Sequence, residues 1–506
     1  MRTKKAVSNF ASNVILQIIT ALTGFILPIL LIHAYGSSLY GLVSSIRQFL
    51  SYLNLVEAGI GAVSIAALYA PLAFNDRDKI NGILSATKIF YNKSGVVFSA
   101  LVVLVSILYP FIVKGQVSNY LSFLLVLVLG LSGALEFFII GKYRVLLTAD
   151  QKSYVLLNIQ AIGITLNLLA SIALVKLGYS ILIVQIGSAT VYLLRAFLIA
   201  WYVKKRYTYI KFTAEPNHLA LYQRWDSFAH QIAAMVVFST DIVLLTIFST
   251  LDEVSVYTIY LMIFTAVAMI LSSISTGLKA AFGDILAKTE TELLHSRYAC
   301  LEFIYYALLT ITYTCTFILI MPFVTIYTKG ISDAIYVRPL VAVLFVAAEI
   351  LNKSRVPSNI LVEAAGHFKQ TRNRAILEAA INLTVSLALV RSYGIVGVLT
   401  GTVCSYLYRT IDFIVYASKN ILFRSPFITF VKILKNLVAA TIALLPLLII
   451  NLQINSYMQW FGYAVLTSLW VATIVFTINL LFDYKNSMES YKIILQIAKS
   501  LRNKNY

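Results

Sequence analysis

Asn167-Leu-Leu-Ala-Ser-Ile-Ala-Leu-Val-Lys176 and Asn382-Leu-Thr-Val-Ser-Leu-Ala-Leu-Val-Arg391 are two copies of one pattern, identical at six of ten positions and ending on a basic residue in both. Beyond a one-residue gap the match continues: Gly187, Tyr192, Leu193, Arg195, Tyr202 and Lys205 align with Gly401, Tyr406, Leu407, Arg409, Tyr416 and Lys419. Apolar helices resemble one another through composition alone, but composition does not align Asn, Gly and Arg. The offset of 215 residues covers six apolar segments. An even number gives both copies the same orientation, so the pattern predicts two six-helix lobes related by a pseudo-twofold axis along the membrane normal.

The rest of the chain agrees with a bilayer as its solvent. Of 506 residues, 60% are apolar or aromatic and 12% are charged, and the mean hydropathy is +0.85, against roughly 45 to 50% apolar and 25% charged in soluble domains. A water-soluble globular enzyme is excluded. Stretches long enough to span lie at 9–34, 39–70, 89–113, 119–147, 154–175, 180–203, 227–250, 254–283, 299–328, 337–362, 374–391, 395–418, 429–451 and 457–482. These fourteen segments predict an all-α integral membrane protein with two six-helix lobes and two further helices. The expected division is 1–206 and 224–422 for the lobes, 207–223 for a linker, 423–484 for helices 13 and 14, and 485–506 for an amphipathic tail on the inner leaflet. Val14 to Ala34 is too long an apolar core for a signal peptide and is expected to be retained as the first helix.

The net charge of +19 comes from 40 Lys and Arg against 21 Asp and Glu. Sorted by loop with the N-terminus inside, 30 of the 40 fall on the cytoplasmic side and five, Lys114, Lys176, Lys329, Arg338 and Arg391, on the other. That asymmetry predicts both termini in the cytoplasm. It also removes the need for nucleic acid as a partner. The remaining five, Arg47, Lys93, Arg195, Lys279 and Arg409, lie within or at the edge of apolar segments.

An ionised side chain at the centre of a spanning helix costs about 2.5 to 3.5 kcal/mol on insertion scales, so each such residue needs a partner or a water-filled cavity. Arg47 and Glu57 share the span 39–70 but stand about 15 Å apart along a straight helix, too far to neutralise each other. Arg47 is the first candidate for a cavity cation, a salt bridge to a neighbouring helix being the alternative. Lys279 is the second candidate, for an anionic headgroup, although the inward bias of basic residues accounts for it equally well. Glu57 and Asp241 are candidate coupling or cavity carboxylates. Arg195 and Arg409, as repeat equivalents, suggest a structural role in both lobes, and Arg409 is three residues from Asp412. The phosphate-loop, zinc-protease and serine-hydrolase motifs are all missing, the five histidines are scattered, and the three cysteines have no ligand spacing. No cofactor, metal or catalytic residue is implied.

The segment Tyr40-Gly-Leu-Val-Ser-Ser-Ile-Arg-Gln-Phe-Leu-Ser-Tyr-Leu-Asn-Leu-Val-Glu-Ala-Gly-Ile-Gly-Ala62, continuing through Ala67-Leu-Tyr-Ala-Pro-Leu-Ala73, resembles the second helix of bacterial polysaccharide biosynthesis flippases of the Wzx type. The six-plus-six-plus-two plan resembles their wider group, the multidrug/oligosaccharidyl-lipid/polysaccharide exporter superfamily. The resemblance implies a V-shaped pair of lobes around a cationic cavity lined mainly by helices 1, 2, 7 and 8, where Arg47 and Lys279 supply the cations by position. It implies outward movement of undecaprenyl-pyrophosphate-linked oligosaccharide repeat units, with membrane lipids and the polymerase and glycosyltransferases of the same pathway as partners. Two other classes stay open. A cation-coupled multidrug antiporter of the same superfamily would use cavity carboxylates such as Asp241 and Glu57. A membrane-embedded polymerase or ligase would need a long extracytoplasmic loop, and none is expected.

Overall fold

The computed structural model describes residues 2–217, 235, 240–275, 278–448, 454–484 and 488, apart from Ala58 and Lys114. Among the described residues all regular structure is helical. Ten helices among the described residues are long and apolar enough to cross a membrane, or up to eleven when a bent pair is taken as one span; the protein is a multi-pass membrane protein. Most of the expected seventh span, with Asp226 and His230, and nearly all of the expected tail lie outside the described residues.

Two compact units are formed, one from Met1–Ile259 with Ile331–Ala334, the other from Tyr260–Gly330 with Ile335–Tyr506. The first contains α1 (Arg2–Tyr35), α2 (Ser37–Leu53), α3 (Ile60–Phe74), α4 (Arg77–Ile112), α5 (Asn119–Leu135), α6 (Gly141–Ala149), α7 (Ser153–Lys176) and α8 (Ile181–Arg206). Here α1 packs on α7, α4 on α5, and α8 on both α5 and α7. Large apolar residues such as Ile18, Leu22, Leu104, Ile107 and Phe197 are exposed on the helix surfaces, as expected where lipid rather than water is outside. Without a hydrophobic drive between helices, close approach depends on small residues. A Cβ on Gly130 would lie 2.4 Å from Val102, one on Gly133 2.3 Å from Phe98, and one on Gly141 2.3 Å from Tyr91.

The expected span 39–70 is two helices bent by 42°. Between them Asn54–Glu57 forms a 3-10 turn, and Gly59 has φ 87°, a left-handed conformation that a side chain resists. The expected span 119–147 is likewise interrupted, by a π-helical turn at Glu136–Ile140 between α5 and α6. Both interruptions sit beside a glutamate.

In the second unit α9 (Leu251–Ser275), whose first residues belong to the first unit, is followed by α10 (Leu278–Ala287), α11 (Thr291–Tyr327), α12 (Pro339–Ser354) and α13 (Val356–Ala364). The break at Arg355 leaves α12 and α13 with 16 and 9 residues, each too short to cross alone. Next comes α14 (Phe368–Asn420), which contains two expected spans joined at Gly394 (φ 51°, ψ −124°). Its arms touch because Gly401 has no side chain: a Cβ there would be 2.8 Å from the Ser386 amide nitrogen and 2.9 Å from the Asn382 carbonyl oxygen. Finally α15 (Phe427–Leu444) and α16 (Tyr457–Phe482) pack on α11. Fully buried Glu302 receives hydrogen bonds from Arg424 (2.6 Å), Thr429 (2.5 Å) and Lys432 (2.9 Å), which fixes α15 against α11.

At the turn after α6, Asp150 accepts from Tyr207 Oη (2.5 Å) and is paired with Lys152 (2.7 Å) and Lys5 (3.1 Å). Burial alone would raise its carboxyl pKa, but the hydrogen bonds from Lys152, Tyr207 and Lys5 outweigh it and hold the group below the ordinary carboxylate range. A depressed carboxylate contributes stability above its unfolded value, about pH 4, and that contribution is lost as pH falls through the folded value. Asp150→Asn should therefore lower the Tm at neutral pH while flattening its decline below about pH 4, measured by thermal denaturation in detergent. Gly401→Ala should destabilise by about 1 to 3 kcal/mol through overpacking against backbone, read as a lower Tm with unchanged helical content.

Candidate functional site

A cavity of about 940 Å³ lies within the first unit, and three arginines and two glutamates line it: Arg47, Arg144, Arg195, Glu57 and Glu136. Arg47 comes from α2, Glu57 from the turn that ends it, Glu136 from the π-helical turn, Arg144 from α6 and Arg195 from α8. The polar side chains Gln160 and Asn167 of α7 and Gln185 and Tyr192 of α8 complete the wall. Its volume falls within the 300 to 1,000 Å³ typical of ligand sites.

Four of these groups, with Tyr91 behind them, form one network. Arg144 is paired with Glu57 through Nη2 and with Glu136 through Nη1, the latter at 2.8 Å. Tyr91 Oη donates to the Glu57 carboxylate (2.5 Å) and Tyr192 Oη donates to the Glu136 carboxylate (2.9 Å). The 3-10 turn and the π-helical turn bring the two carboxylates to one guanidinium. A planar fork with five donors suits that bridge, and a lysine would not span it in the same way.

Arg47 stands apart from the network. Its Nη2 donates to Gln185 Oε1 at 3.3 Å, and among the described residues it has no ion pair. The cavity thus contains a neutralised or slightly acidic cluster around Arg144 and a cation that no carboxylate of the described chain offsets.

No protein-family model matches the sequence, and no curated protein matches it. Solved structures do. A lipid II flippase MurJ in an inward closed conformation superposes with a TM-score of 0.71 over 94% of this chain and 99% of that one, at 13% identity. An inward-facing multidrug resistance MATE family transporter of the MOP superfamily gives 0.65 over 80% and 94%, at 14% identity. A MOP superfamily transporter from Pyrococcus furiosus, described as having a binding pocket of reverse polarity, gives 0.59 over 83% and 97%, at 15% identity. The chain shares its fold with these solved transporters.

Within this fold the four residues singled out by sequence separate. Arg47 and Glu57 line one cavity. Lys279 belongs to the second unit, is half exposed and pairs with Glu363, so it does not line that cavity as a cation. Asp241 is buried and accepts from Tyr257 Oη at 2.8 Å, also away from the cavity wall. The expected structural role of the repeat arginines holds for Arg409, paired with Glu378 at 3.3 Å and Asp412 at 2.9 Å. Arg195 instead faces the cavity.

Sequence does not single out Arg144, because it lies near the end of its span, where the inward bias of basic residues accounts for it. A signal existed: Glu136 and Arg144 are eight residues apart, a spacing that puts both on one helix face. Removing Arg144 leaves two carboxylates facing each other without a cation. Arg144→Ala should cost about 1 to 3 kcal/mol, seen as a fall in Tm, and adding Glu57→Gln should restore part of the loss.

Proposed function

We propose that this protein is a flippase that moves undecaprenyl-pyrophosphate-linked oligosaccharide repeat units from the inner to the outer leaflet of the bacterial cytoplasmic membrane, both of its termini being cytoplasmic. The observation that carries this reading is Arg47, a cation without an ion pair among the described residues, in a cavity otherwise rich in hydrogen-bonding groups. The likeness of fold to a lipid II flippase over nearly the full length of both chains supports it.

Physical chemistry explains why such a cavity is needed. An isolated buried charge costs tens of kcal/mol in the Born limit, and each unpaired hydroxyl adds several more. A diphosphate and its sugars therefore cross inside polar walls while the polyprenyl tail stays in lipid. Arg47 holds the phosphate, the amide and hydroxyl groups of the wall hold sugar, and alternating access releases the headgroup on the other side. With the cytoplasm negative, export of two negative charges is favoured by roughly 4 to 5 kcal/mol per 100 mV, so the potential alone supplies a driving force.

A cation-coupled multidrug antiporter is the second reading, favoured by the cavity carboxylates Glu57 and Glu136 and by the likeness of fold to a multidrug transporter. Their engagement by Arg144 counts against it. Deletion of the gene separates the two. The flippase reading expects lipid-linked intermediates to accumulate in the inner leaflet and surface polymer to be lost, whereas normal polymer with raised drug sensitivity supports the antiporter. In complementation, Arg47→Ala should reduce polymer export at least tenfold at unchanged protein abundance, with Arg47→Lys intermediate.

A further inference from the structure

The two repeat arginines share a position but not an environment. Arg409 is buried and held by two carboxylates, Glu378 and Asp412. The repeat places Glu378 on Gly163 and Asp412 on Leu198 in the first copy. Geometry follows the alignment, because the Arg195 side chain passes over Gly163: a Cβ built there would meet Arg195 Cδ at 3.7 Å. The first copy thus keeps the arginine in the same relation to its neighbouring helix without either carboxylate.

What remains around Arg195 does not replace them. Its Nε is buried without an acceptor, and its guanidinium carbon is 5.0 Å from the centroid of the Tyr192 ring. Among the described residues it makes no hydrogen bond or ion pair. Glu136, which also contacts Tyr192, is already engaged by Tyr192 and Arg144. A guanidinium at mid-helix in a spanning segment calls for a counter-charge, and this one lines the cavity.

We propose that Arg195 is a second oxyanion-binding position of the cavity, acting beside Arg47 on a phosphate or carboxylate group of the transported molecule. Gln185, which holds Arg47, and Arg195 are ten residues apart on α8, about 15 Å of helix, so the two cations are presented at two depths. That arrangement suits an amphiphile whose acidic groups are spread along its length, such as a diphosphate followed by an acidic sugar, better than one compact anion. The proposal deepens the transport reading and rests on it only for the identity of the ligand.

Gly163→Glu is the direct test, because it gives Arg195 the carboxylate that Arg409 already has. Purified full-length protein in detergent at low salt is titrated calorimetrically with inorganic pyrophosphate and with glucuronate. The wild type should bind at least one probe. Arg195→Gln and Gly163→Glu should each weaken that binding at least tenfold, Arg195→Lys less, and Gly163→Glu should not lower the Tm. Loss of pyrophosphate alone marks a position that takes phosphate, loss of glucuronate alone marks one that takes the acid of a sugar, and loss of both marks one that takes either group. If neither probe binds the wild type, or if both variants bind within twofold of it, the proposal is overturned. If Gly163→Glu fails to fold, Arg195→Gln decides by the same thresholds. Probe binding that depends on Arg195, in a protein whose deletion leaves polymer intact, keeps the site and removes the flippase reading; the reverse pair removes the site alone.

Discussion

The first unit depends on one bridge, Arg144 between Glu57 and Glu136. Three ionised groups inside a spanning bundle need partners or a polar cavity, and these three have both: they pair with one another and line the cavity. The two helix interruptions fall at the two glutamates that the bridge joins. The 3-10 turn before Gly59 and the π-helical turn at Glu136–Ile140 are local departures from ideal helix whose cost is offset by the pairing. Tyr91 and Tyr192 then occupy the remaining acceptor positions of the two carboxylates.

The second unit solves the same constraint in a different way. Arg355, Arg374 and Arg409 share Glu378 and Asp412, and Arg424 and Lys432 share Glu302. These groups are packed, with helix ends brought together around them. In the first unit Arg195 and Gly163, the equivalents of Arg409 and Glu378, line a cavity. The second copy has a packed polar cluster where the first has Gly163 for Glu378 and Leu198 for Asp412, which leaves Arg195 without the two carboxylates that hold Arg409.

Hydropathy made the helices legible, because every spanning segment has to satisfy its own backbone in lipid. Alignment of Asn, Gly and Arg is what pairs Arg195 with Arg409. Arg47 was legible as well: it lies far enough inside its span that only a partner or a cavity accounts for it. Lys279 was not separable in this way. A lysine near the end of a span fits lipid, a loop bias or an ion pair, and Glu363 lies too far along the chain to be recognised as its partner. Asp241 looked free for a related reason, its hydrogen-bond donor Tyr257 being on the next helix. The bends were hidden because a 3-10 or π-helical turn changes neither composition nor periodicity over enough residues to be noticed.

The strongly basic composition is a poor guide to the strength of the cavity. Of the 40 basic residues, three line it, and one of those is already offset by two carboxylates. Weak net charge has a mechanical advantage under the transport reading. A wall of unpaired cations would bind a diphosphate tightly in both orientations of the cavity, and a ligand with equal affinity for two states shifts neither, however tightly it binds. Two separated arginines, each supported by a neutral neighbour, Gln185 for one and Tyr192 for the other, would on that reading hold an acidic headgroup through a few directional contacts. Contacts of that kind change when helices move by a fraction of a turn, which is the differential binding that alternating access requires.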